Sequence, residues 1–168
     1  MSARASSAGG TPATTALTAA GAAYTLHPYA HDAGAPSYGR EAVDALGLSD
    51  TEVFKTLVAR VDRRLVTAVV PVAGSLDLKA LAAAVGGKKA VLAEPLDAER
   101  ATGYVLGGIS PLGQRTAMPV VVDLSVLDLP AVHVSAGRRG LQVRLAPADL
   151  LAVSRGRTAA VARPDCTD

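Results

Sequence analysis

Two apolar, β-branched runs separated by a pair of polar residues constrain this chain more than any other feature. "EVFKTLVARV" (52–61) and "RLVTAVVPV" (64–72) flank Asp62–Arg63, the pattern of two strands joined by a tight hairpin. Alternate residues of a strand face opposite sides of its sheet. Val53, Lys55, Leu57 and Ala59 therefore share one face, and Phe54, Thr56 and Val58 the other. Both faces are largely apolar, which predicts a central strand covered on both sides. The core around it has few large rings, because 49% of the residues are apolar but only 3% aromatic. Val, Leu, Ala and Ile must fill it, within the 168 residues of a single domain.

The remaining punctuation predicts short helices and further strands. A helix over 12–20 is capped by Thr11 and stopped by Gly21, and one ending at Leu46 is capped by Ser37 and stopped by Gly47. Residues 77–85 carry Leu78, Leu81, Ala82 and Val85 at helical spacing. Pro95 and Pro147 open two more helices. Strands are expected at "YTLHPY", "KAVLAE", "MPVVVDL" and "TAAVA". "AVHVSAGRRGLQVRLA" predicts a second hairpin turning through 136–139. Strands and helices do not alternate regularly, which argues against a doubly wound parallel sheet. The fold class expected is α+β: a mixed, mostly antiparallel, strongly curved sheet with helices packed outside. Residues 1–10 read as a disordered tail, 11–163 as the domain and 164–168 as a C-terminal tail.

No apolar run approaches the roughly 20 residues of a membrane span, and "MSARASSAGG" is not a secretory signal. The expectation is a cytoplasmic protein without a membrane partner. Cys166 is the only cysteine, so no internal disulfide forms, and its place near the terminus makes it a poor catalytic group. The net charge of +2 is too small for a general nucleic-acid binder. Arg138, Arg139 and Arg144, followed by Arg155, Arg157 and Arg163, could lean on a phosphate backbone, or could simply be solvated.

Lys55 stands out as a candidate site residue. An ammonium in a strand apolar on both faces needs a partner or a wet cleft, unless it snorkels to solvent. "GGISPLGQ" (107–114) permits close backbone approach and can aim N–H groups at an oxygen. No Gly-Lys-Ser/Thr follows, so it is not a nucleotide P-loop. His27, His31 and Asp32 raise a metal site, but Pro28 interrupts any helix through them, and no metal or other cofactor is expected. Ser110 or Ser135 with His31 or His133 could in principle make a triad, yet neither serine lies in a nucleophile elbow. The turn "SAGRRG" is either a solvated hairpin tip or a phosphate clamp.

Taken in order, "TPA", "HPYAHD", "FKTLVA", "PVAGSLDLKALA", "GGKK", "TGYVLGGISPLGQ" and "SAGRRGL" resemble the YbaK-like aminoacyl-tRNA deacylases. These are relatives of the editing domain inserted in some bacterial prolyl-tRNA synthetases. The resemblance runs from Thr11 to about Arg163, and "GGISPLGQ" points to the branch acting on Cys-tRNA(Pro). It implies a barrel-like curved sheet and, as substrate, the acceptor end of tRNA(Pro) wrongly esterified with cysteine. It also implies a prolyl-tRNA synthetase as possible partner. Lys55 matches the family's functional lysine, with Gly107 and Gly108 beside the scissile carbonyl. Tyr29, Phe54, Thr56, Ile109, Ser110, Pro111, Ser135 and Arg138 match substrate-binding positions. In this branch the substrate's own thiol is held to attack its ester, which suits a chain without a nucleophile–base pair. Ala136 and Arg138 depart from a common Gly and Lys, and Gln142 stands where many relatives carry Asp. The alternatives are an Ala- or Ser-tRNA deacylase on the same scaffold, a non-catalytic tRNA- or synthetase-binding module, and a small-ligand binding protein.

Overall fold

The structure is a computed structural model that describes residues 10–31 and 37–164. Its centre is the expected hairpin of β2 (Phe54–Val61) and β3 (Arg64–Pro71), in register from Phe54↔Pro71 to Val61↔Arg64. Asp62 makes the turn at a φ of 54°. Its carboxylate accepts the N–H groups of Lys88 and Lys89, tying the hairpin tip to the approach of β5 (Ala90–Leu92).

A five-stranded sheet has the order β5-β2-β3-β6-β9, with β6 at Val120–Asp123 and β9 at Arg157–Ala159. Strand β2 is internal and buried on both faces. Phe54 and Val58 join the larger core cluster, whereas Ala59 and Val61 pack with Val66, Ala68, Val70 and Leu81. A second sheet has the order β1-β8-β7, from Tyr24–Pro28, Leu141–Leu145 and Val132–Arg138. Its inner residues Val132, Val134, Ala136, Leu141, Val143 and Leu145 complete the larger core. A third pairs β4 (Gly74–Leu76) with β10 (Ala162–Pro164).

Five strand pairings are antiparallel and two are parallel, so the sheet structure is mixed and mostly antiparallel as expected. The sheets do not close into a barrel. The second sheet touches the first at one parallel bridge, Val53↔His133, where the His133 N–H donates to the Glu52 carbonyl at 2.9 Å.

The helices begin where the capping residues place them. Thr11 caps α1 (Pro12–Ala19) in a capping box, and its hydroxyl donates to the Ala136 carbonyl at 2.5 Å. Ser37 caps α2 (Tyr38–Leu46), which ends at left-handed Gly47. Asp77 caps α3 (Leu78–Ala84), and prolines open α4 (Pro95–Thr102) and α5 (Pro147–Ser154).

Three local expectations are corrected. The β7–β8 hairpin turns at Arg139–Gly140 rather than through 136–139, because a bulge between Ser135 and Arg138, with Gly137 at a φ of 109°, absorbs extra residues inside the strand. "TAAVA" is not one strand. Asp123 Oδ1 accepts the N–H groups of Val161 and Ala162 at 3.0 and 2.9 Å, so the chain leaves β9 and joins another sheet as β10. β4 and a 3₁₀ turn at Leu124–Asp128 had no periodicity long enough to announce them. The predicted tails fall mostly on 1–9 and 165–168, outside the described residues.

Candidate functional site

Beyond the Val53–His133 bridge, β2 and β7 part, and a cavity of about 310 Å³ opens between the sheets. Consecutive residues from Val53, just before β2, to Leu57 line it. Ser135 of β7 and Gln142 of β8, paired across the ladder, contribute a second side. Leu106, Gly107 and Ile109 of the glycine-bearing loop contribute a third, and Ser37, Tyr38 and Gly39 at the start of α2 a fourth.

Lys55 is half-buried and has no ion-pair partner among the described residues. Its neighbours Val53, Phe54 and Leu57 are apolar, so its charge remains available to a ligand. Two further groups wait for a partner. Thr56 Oγ1 and Gln142 Oε1 are buried with no hydrogen bond among the described residues. Buried polar atoms are normally satisfied, and both residues line the cavity.

The loop approaches through a close contact. Gly107 has a φ of 85°, and a Cβ there would lie 2.7 Å from the Tyr38 ring. The Arg139 guanidinium stands 4.9 Å from that ring's centroid, and Arg139 Nε donates to the Leu106 carbonyl at 2.7 Å. Tyr38 is thereby fixed at the mouth, 40% exposed. The N–H groups of Gly107 and Ile109 have no partner among the described residues, which suits them to an oxygen-stabilising role.

Six residues singled out in the sequence meet here: Phe54, Lys55, Thr56, Gly107, Ile109 and Ser135. The others stand behind or beyond them. Gly108 donates its N–H to the Val105 carbonyl at 2.9 Å, and a Cβ on it would meet Arg138 Cα at 2.8 Å. Gly108 and Arg138 therefore join the loop to the β7–β8 turn. Ser110 is fully buried, its Oγ accepting the Leu112 N–H. Pro111 borders a separate cavity of about 260 Å³ with Ala16, Gln114 and Arg155. Tyr29 lies against Gln142. Burial raises its phenol above the ordinary value, partly offset by hydrogen bonding from the Gly140 backbone and the Gln142 side chain.

Among the described residues, neither the candidate histidines nor the candidate serines join a metal cluster or a triad. His27 Nε2 lies 3.0 Å from Thr25 Oγ1, and His31 Nδ1 lies 2.8 Å from Glu41 Oε1. No cluster of three metal-ligating side chains occurs among the described residues. Ser135 Oγ accepts the Gly137 N–H, and neither Ser135 nor Ser110 bonds to a histidine. His133 packs edge-on against His27 at 5.4 Å, and desolvation lowers its pKa. Asp32 and Cys166 lie outside the described residues. No described helix is long and apolar enough to cross a membrane.

Sequence reasoning missed Tyr38, and it treated Gln142 only as a departure from its relatives. A signal for Tyr38 existed: an aromatic directly after a capping serine, in a chain with four tyrosines and one phenylalanine.

Comparison with known proteins gives this geometry a context. Residues 34–153 match the model of the aminoacyl-tRNA editing domain. A protein of Enterococcus faecalis, provisionally named Cys-tRNA(Pro)/Cys-tRNA(Cys) deacylase EbsC, is 39% identical over 119 residues, covering 70% of this chain and 73% of that protein. The crystal structure of a provisionally identified trans-editing enzyme for prolyl tRNA synthetase is similar with a TM-score of 0.79 at 25% identity, covering 90% of this chain and 95% of the other. A hypothetical protein, APE2540, shares the fold at the same TM-score and 23% identity, covering 90% of this chain and 99% of the other.

Proposed function

This chain belongs to the aminoacyl-tRNA editing domain family, and on that premise we propose that it is a trans-editing deacylase that cleaves Cys-tRNA(Pro). The observation that carries the proposal is the Lys55 ammonium, without an ion-pair partner among the described residues, in a cavity whose lining holds no other charged side chain among them and includes the Gly107 backbone. A polyanionic acceptor end brings its own negative charge to that cation. The Enterococcus faecalis relative is named for that substrate class, and the solved neighbour for trans-editing beside prolyl tRNA synthetase.

The mechanism that the family resemblance implies takes the attacking group from the substrate, which suits a site with no nucleophile–base pair among the described residues. The cysteinyl thiol attacks its own ester carbonyl, so that an S–C bond forms and the C–O bond to the ribose breaks. The thiol proton ends on the departing ribose hydroxyl, and a cyclic thiolactone leaves. Lys55 holds the terminal nucleotide, and the Gly107 and Ile109 N–H groups meet the developing oxyanion. Ser135 and Phe54 bound the space for the amino-acid side chain. A prolyl-tRNA synthetase would supply selectivity for tRNA(Pro).

The test is single-turnover deacylation of Cys-, Ala- and Ser-charged tRNA(Pro). Cys-tRNA(Pro) should be cleaved fastest. Lys55→Ala should slow cleavage about 10²-fold, the effect of misplacing the reacting ester, with unchanged circular dichroism. Cys166→Ala should match the wild type. A fully active Lys55→Ala protein would overturn the assignment of Lys55, and cleavage confined to Ala-tRNA(Pro) would overturn that of the substrate.

A further inference from the structure

The five-stranded sheet ends at β5, which pairs only with β2 among the described residues. The Asp62 N–H donates to the Lys89 carbonyl at 2.8 Å, and the Ala93 N–H to the Val58 carbonyl at 3.0 Å. Bonded pairs alternate along an antiparallel ladder, so Lys89, Val91 and Ala93 aim their backbone groups at β2. Ala90 and Leu92 aim theirs outwards, and no described residue bonds to them. The same edge is apolar and open: Val91 is 46% and Leu92 58% exposed, followed by Leu96 at 56% in α4. The opposite edge, β9, has no exposed large apolar side chain. Natural sheets blunt an open edge with charge, proline or a covering element. Here charge stands only at the two ends, on exposed Lys88 and Lys89 before β5 and exposed Glu94 after it.

We propose that β5 pairs antiparallel with β5 of a second copy of this chain, about a two-fold axis through Val91, joining the two sheets edge to edge. Centred there, Ala90 faces Leu92 of the second copy and Leu92 faces its Ala90, so every outward N–H and C=O group of the two residues finds a partner. Moving the axis to Ala90 would set Leu92 against Lys88, whose N–H is held by the Asp62 carboxylate. Moving it to Leu92 would set Ala90 against Glu94, whose carbonyl is held by the Ala98 N–H. The Val91 register also brings Lys88 opposite Glu94 of the second copy, and again by symmetry, whereas a parallel pairing would set lysine against lysine. Lys88 feels the Asp62 carboxylate, yet neither Lys88 nor Glu94 forms an ion pair among the described residues.

A second copy is the occupant because backbone, apolar side chains and charge are all self-complementary about the same residue. An unrelated apolar strand would satisfy the first two and leave the charges unmatched. The pairing goes beyond the deacylase reading and does not depend on it. β5 lies along the 59–61 end of β2, and the cavity takes the 53–57 end.

A short edge lies at the small, weak end of protein interfaces, so sedimentation velocity of the full chain is read from about 1 to 500 μM. The wild type should pass from monomer to dimer within that range. Amide hydrogen exchange at its two ends reads the register. The Ala90 and Leu92 amides, open in the monomer, should slow at least about tenfold in the dimer, whereas those of Val91 and Ala93 are protected throughout. Val91→Lys sets like charges face to face on the axis and should leave a monomer with the wild-type circular dichroism and urea midpoint. Lys88→Glu and Glu94→Lys should each weaken the dimer at least about fivefold, and the double variant should recover most of the affinity. A monomer across the whole range overturns the proposal, whether the two amides are open or are covered by another segment of the same chain. A dimer that survives Val91→Lys, or that leaves the Ala90 and Leu92 amides as open as in the monomer, overturns it by placing the contact elsewhere. A double variant no better than the single ones overturns the antiparallel register.

Discussion

Gly107 shows how one residue without a side chain can hold a site open. Its φ of 85° is left-handed, and the position a Cβ would take is filled by the Tyr38 ring. Gly107→Ala must strain the backbone, at about 1–2 kcal/mol, and also displace Tyr38. A lower urea midpoint and a deacylation rate reduced more than tenfold are expected, whereas Gly21→Ala, equally left-handed but with open space around it, should cost stability alone. At this scale the sequence made Lys55 and the glycine loop legible, since an ammonium in an apolar strand and a glycine cluster are local anomalies, whereas Thr56 came only from the family resemblance. It did not separate Gly107 from Gly108. The first meets a ring from α2 and the second meets Arg138, contacts made by residues far away in the chain. The unsatisfied state of Gln142 was equally invisible, because whether an amide finds a partner depends on the whole surrounding fold.

Asp123 does at the level of elements what Gly107 does for the site. Burial acts to raise its pKa, but hydrogen bonds from the Ser125 side chain and from the backbones of Val161, Ser125 and Ala162 outweigh it, and the net shift is downward. A carboxyl whose folded pKa lies below its unfolded value adds stability at pH values above the unfolded one. That stability is lost as the pH falls through the folded value. Asp123→Asn should cost about 2–3 kcal/mol at pH 7, and the gap to the wild type in urea unfolding should shrink as the pH drops from about 5 towards 2. The same carboxylate explains why "TAAVA" could not be read as two strands. The break comes from a side chain 38 positions away from Val161, not from any Gly or Pro within the segment. Helix starts were legible for the opposite reason: Thr11, Ser37 and Asp77 each satisfy an N–H three residues ahead.

Over the whole molecule, the central hairpin and the mixed class followed from alternation and irregular spacing. The division into three sheets did not, because strand partners are chosen over long chain separations. The consequence is a cavity whose lining comes from both the five-stranded sheet and the β1-β8-β7 sheet, which meet at a bridge beside it. A ligand spanning both sheets should stabilise the fold as a unit. At a hundred times its Kd, an aminoacyl adenosine with an amide in place of the cleavable ester should add about 2.7 kcal/mol, read as a single cooperative transition at a higher Tm. Two separate transitions, only one of them shifted, would show that the ligand grips one sheet.

The scarcity of rings has an optical consequence. With no tryptophan and four tyrosines, ultraviolet emission comes from phenols alone, and Tyr38 sits under a guanidinium at the cavity mouth. Occupancy of the cavity should change that phenol's quantum yield, so the unlabelled protein carries its own reporter. Tyr38→Phe would silence it.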